Sequence, residues 1–81
     1  MYKNKSNDGS NNISGKKIAY YRLNLPQKTS QRKLADLMQM EGIDLDKNAI
    51  QRIETGKRFI TDIEIKVFAK VLNVTYSDLL D

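Results

Sequence analysis

The chain has 81 residues, a formal charge of +4 and a pI near 9.4, with neither cysteine nor histidine. That length supports one domain with a small core, dependent on good capping and close helix packing. A disulfide framework, a thiolate metal site and histidine acid–base chemistry are excluded, and the acidic residues are scattered without EF-hand spacing.

Residues 1–12 consist largely of Lys, Asn, Ser, Asp and Gly with almost nothing to bury. They are expected to form a flexible arm whose Lys3 and Lys5 are at most casual phosphate contacts, leaving residues 13–81 as the folded domain. A first helix is predicted over about Ser14 to Leu23, with Ile18, Tyr21 and Leu25 at helical spacing and Lys16, Lys17 and Arg22 off that stripe. Pro26 ends it, because proline disfavours helix in the residue before it.

Ser30 is a good N-cap for a second helix. Its stripe is Leu34, Leu37 and Met38, with Ala35 small enough for a close neighbour and Gly42 as the left-handed terminator. Ile43-Asp44-Leu45 has apolar residues two apart and reads as an extended connector with Ile43 and Leu45 turned inward. Asp46 then caps a short third helix that buries Ile50 and Ile53 and closes at Gly56; Leu45 and Ile50 form a hydrophobic staple.

Thr61-Asp-Ile-Glu64 is a capping box with Ile60 and Ile65 as its staple. Ile65, Phe68, Ala69 and Leu72 follow as one apolar face of a fourth helix, which Asn73 terminates. Thr75-Tyr-Ser-Asp78 repeats the box, with Val74 and Leu79 as staple, and opens a short fifth helix. Five helices with short joints and no convincing strand predict an all-α orthogonal bundle.

Charge is unevenly placed along this bundle. Residues 1–60 carry twelve Lys/Arg against six Asp/Glu, whereas residues 61–81 carry two against four. A basic excess favours a polyanionic partner, the alternative being an ordinary solvated surface. If the third helix buries Ile50 and Ile53, its outward residues are Lys47, Asn48, Gln51 and Arg52. Arg and Lys donate to guanine O6 and N7, and Asn and Gln pair with adenine, so this helix has the composition of a recognition helix in a major groove. Gln31 and the free N–H groups that open the second helix form a natural anion site. Lys57 and Arg58 are placed to grip the backbone on the far side, with Lys28, Arg32 and Lys33 as further candidates.

Three stretches then stand in order: Ser30-Gln31-x-x-Leu34-Ala35, Ile50-x-x-Ile53-Glu54-x-Gly56-Lys57-Arg58, and Ala69-x-x-Leu72-x-Val74-x-x-x-x-Leu79. Together they resemble the Cro/repressor, or XRE, helix-turn-helix family over roughly residues 14–81. The resemblance implies a five-helix DNA-binding domain of bacterial or phage origin that regulates transcription, with double-stranded DNA as partner and a homodimer on it. By position, it implies that Gln31 contacts phosphate, that Lys47, Asn48 and Arg52 read bases with Gln51 between them, and that Lys57 and Arg58 touch the backbone. Glu54 belongs to the same signature, and because a carboxylate repels DNA its expected role is structural. The chain departs from the family in a longer connector over the region of Met38 to Asp46 and in a small excess around Pro26.

No apolar run approaches the ~20 residues of a membrane span, and no stretch has the form of a signal peptide. A cytoplasmic location is expected, with no cofactor, metal or small-molecule ligand. The competing reading is an interaction module, such as an antitoxin, that keeps the fold without the DNA. An enzyme would need Ser, Lys, Tyr, Asp or Glu in a pocket, for which so small a bundle has little room.

Overall fold

Among residues 11–81, which the computed structural model describes, five helices and no strand are found: α1 Gly15–Leu23, α2 Gln31–Met40, α3 Lys47–Glu54, α4 Asp62–Leu72 and α5 Tyr76–Leu80. The all-α, five-helix expectation holds.

Four of the helices start where a side-chain oxygen takes an N–H group that the helix itself cannot satisfy. Ser30 Oγ accepts from the Lys33 N–H at 3.0 Å, and Asp46 Oδ1 from the Ala49 N–H at 2.8 Å. Both expected capping boxes are reciprocal. Thr61 Oγ1 accepts from the Glu64 N–H while Glu64 Oε1 accepts from the Thr61 N–H, and Thr75 and Asp78 do the same for α5. The terminators also stand where expected, Gly42 and Gly56 at φ of +88° and +80° and Asn73 at +58°.

The start of α1 is different. Asn12 Oδ1, three residues back, accepts from the Gly15 N–H at 2.6 Å. Asn12 is buried, and both Asn11 and Asn12 bond to the turn after α3. The expected arm ran through Asn12; its first ten residues lie outside the described ones, and its last two are part of the folded body.

Packing follows the apolar stripes. Helix α3 lies against α1 and α2, and α4 lies against α1, α2 and α5. Ile18, Leu34, Ile50, Phe68 and Leu79 from the five helices are fully buried in one cluster. Burying a side chain of this size contributes about 1.5–3 kcal/mol. In the connector, Leu45 is buried and Ile43 packs partly against the core, as expected. The Ile43 N–H donates to the Met38 carbonyl and the Leu45 N–H to the Ile43 carbonyl, each at 3.0 Å, so the longer joint is tied down. No helix among the described residues is long and apolar enough to cross a membrane.

Candidate nucleic-acid interface

Helix α3 buries Ala49, Ile50 and Ile53. Because its apolar positions face the core, Lys47, Asn48, Gln51 and Arg52 are all exposed. They stand three and four residues apart, so they form one outward strip over about two turns. The four expected base-reading residues are thus brought together on the surface.

The flanks are less uniform. Gln31 is the first residue of α2, where the backbone N–H groups have no intrahelical acceptor. It is half-buried, and its Nε2 donates to Glu54 Oε1 at 3.0 Å. An amide nitrogen has two hydrogens, so this bond orients Gln31 and leaves the second N–H for an anion. Lys28 and Arg32 are exposed on either side of this helix start. Arg32, Asp36, Asp46 and Lys47 line a groove between α2 and α3, where the two carboxylates temper the two cations.

Past α3, Lys57 is exposed, and its N–H and that of Arg58 both donate to the Arg52 carbonyl, at 2.8 and 3.2 Å. Arg58 departs from the expectation of a freely presented cation. Its guanidinium forms two bonds with the Glu64 carboxylate, at 3.1 and 3.2 Å, and a third with the Phe59 carbonyl at 3.0 Å. The capping box of α4 draws it in, because Glu64 is held at that helix start and nearly buried.

Glu54 has the structural role expected of it. Arg22 donates to it twice, through Nε at 2.7 Å and Nη2 at 3.0 Å, and through Nη1 to the Thr29 carbonyl at 2.9 Å. The ion pair is largely buried, with 11% of the Arg22 side chain and 5% of the Glu54 side chain exposed. One carboxylate therefore joins α1, the start of α2 and the end of α3.

Sequence reasoning missed three residues that shape this face. On spacing Arg22 is only a cation off the apolar stripe, though a lone acid ending a helix among basic residues, as Glu54 does, signals a buried partner. Asn11 and Asn12 share the polar composition of the expected arm. For Asn12 a signal was present, since asparagine is a preferred capping acceptor and the helix start lies just beyond it.

The sequence profile of one family, helix-turn-helix, matches residues 18–79. The chain belongs to the helix-turn-helix family of the Cro/repressor type. Helix-turn-helix domains of this kind bind DNA and are not catalytic, and the match takes in α2, α3 and most of the remaining bundle. No curated protein and no solved structure matches the helix-turn-helix chain.

Proposed function

We propose that the chain is a sequence-specific regulator of transcription, of bacterial or phage type, that acts as a repressor in the cytoplasm. Helix α3 enters the major groove, where Lys47, Asn48, Gln51 and Arg52 meet base edges. Gln31, with the first N–H groups of α2, and Lys57 hold phosphates on either side, with Lys28 and Arg32 nearby. Arg58 contributes mainly by bracing the turn that presents Lys57. The observation that carries this reading is the outward strip on α3, donor-rich and exposed, with the start of α2 at Gln31 and the exposed Lys57 both beside the end of that helix. On a palindromic operator two copies would place their α3 helices about one turn of DNA apart, ~34 Å. Occupancy of a promoter is then sufficient to block transcription.

Selection of duplexes from a random pool, followed by titration of two variants, tests the reading. Arg52→Ala is expected to cost about 1–3 kcal/mol on the selected site and to relax specificity at one position. Lys57→Ala is expected to weaken all sequences alike and to reduce the salt slope by about one. Recovery of no preferred duplex would remove sequence reading, and an equal loss for Arg52→Ala on random DNA would make Arg52 a phosphate contact.

A further inference from the structure

The last carbonyls of a helix have no acceptor role within it and must find donors elsewhere. At the end of α3 some of those donors are local: the Gly56 N–H reaches the Ile53 carbonyl at 3.1 Å, and the Lys57 and Arg58 N–H groups share that of Arg52. The turn that follows the helix is held from the segment before α1. The carbonyls of Gly56, Lys57 and Arg58 accept, in order, from the Asn11 backbone N–H at 2.7 Å, Asn11 Nδ2 at 3.0 Å and Asn12 Nδ2 at 2.8 Å. Asn12 Nδ2 also donates to the Ile53 carbonyl at 3.1 Å. Three consecutive peptide carbonyls are thus held by two adjacent asparagines. Lys57 has its N–H and its C=O both fixed, while its side chain is left exposed.

We propose that Asn11 and Asn12 are positioning residues for the DNA backbone contact, holding the Gly56–Arg58 turn so that Lys57 meets a phosphate from an ordered backbone. This rests on the DNA-binding role proposed above for Lys57. A turn without the clamp would lose its conformational freedom on binding DNA, weakening the contact; with the clamp that ordering is complete once the chain has folded. Asn12 also caps α1, so its replacement mixes folding with positioning. Asn11 separates the two: its Nδ2 bond to Lys57 can be removed while its backbone bond to Gly56 stays.

The test is a cycle of wild type, Asn11→Ala, Lys57→Ala and the double variant, each titrated with the selected duplex over a series of salt concentrations. Amide hydrogen exchange is followed at Lys57 and Arg58 in the same proteins. Asn11→Ala is expected to speed exchange at both amides, to weaken DNA binding several-fold and to make the salt slope shallower by up to about one. In the Lys57→Ala background it should change the slope no further. Asn11→Ser, polar but too short to reach the Lys57 carbonyl, gives the same readouts if Asn11→Ala does not fold. A wild-type slope and affinity in the variant, or an equal loss in both backgrounds, overturns the clamp while leaving the DNA-binding role intact. A wild type that shows no salt-dependent duplex binding overturns that role, and the clamp's part in it as well.

Discussion

Three donors from two helices meet at Glu54: Arg22 Nε, Arg22 Nη2 and Gln31 Nε2, all within 3.0 Å of a carboxylate oxygen. Taking both charges out of water is costly, and their attraction with the added amide bond offsets that cost. Removing one partner leaves the other charge buried and unmatched. Glu54→Ala is therefore expected to lower the unfolding free energy by about 3–5 kcal/mol in urea titrations. The paired replacement Arg22→Met with Glu54→Leu should recover most of that loss, because no isolated charge is left behind. A Glu54→Ala protein as stable as wild type would mean that water reaches the pair. Glu54 was legible in the sequence as structural, because a carboxylate beside phosphates needs another purpose. Its partner was not, because Arg22 lies 32 residues away and no local periodicity links the two. Arg58 eluded sequence reading for a related reason: its engagement with Glu64 depends on how the turn between α3 and α4 folds back.

Helix boundaries were legible wherever the cap is local. Ser30, Asp46, Thr61 and Thr75 each accept an N–H three residues onward, a bond that spacing alone announces. The outward strip of α3 was legible too, since placing Ile50 and Ile53 inside determines which residues face out. Helix α1 was harder: Ile18 is its one large fully buried side chain, and its capping acceptor lies before the expected helix start. Besides the Arg22–Glu54 pair and the shared core, α1 meets α3 in a close backbone approach. A Cβ at Gly15 would stand 2.1 Å from the Ile53 carbonyl oxygen and 2.9 Å from Asn12 Oδ1. On propensity alone, alanine in place of a helical glycine gains about 0.8–1 kcal/mol. Overpacking against backbone costs typically about 1–3 kcal/mol, and here the obstacle cannot rotate away. The clash is expected to win. Gly15→Ala should melt at a lower temperature than wild type and bind DNA more weakly, because α3 shifts or loses its asparagine bonds. A melting temperature equal to or above that of wild type would show that α1 and α3 separate at little cost.

At the scale of the molecule, the positive charges differ in where the folded chain carries them. The set proposed to face DNA stands on α3, at the start of α2 and on the turn at Lys57, all fixed around one core. Lys66 and Lys70 belong to α4, where they share a groove with Glu41 and Asn73, and Lys70 is bonded to Glu41. Glu41 follows the last residue of α2, at the opposite end of that helix from Gln31. Ten residues of helix span about 15 Å, more than the Debye length of roughly 10 Å at 0.1 M salt. On the proposed orientation, two cations at that end, one of them already paired with a carboxylate, release few counterions when the opposite end meets DNA. Lys66→Gln with Lys70→Gln removes two positive charges and should leave the salt slope within a few tenths of wild type, whereas Lys57→Ala removes one and should change it by about one. Slopes measured by fluorescence anisotropy on one duplex compare the two directly. If the α4 double variant loses as much as Lys57→Ala, overall charge and not the α2–α3 face governs binding, and the proposed orientation on DNA fails.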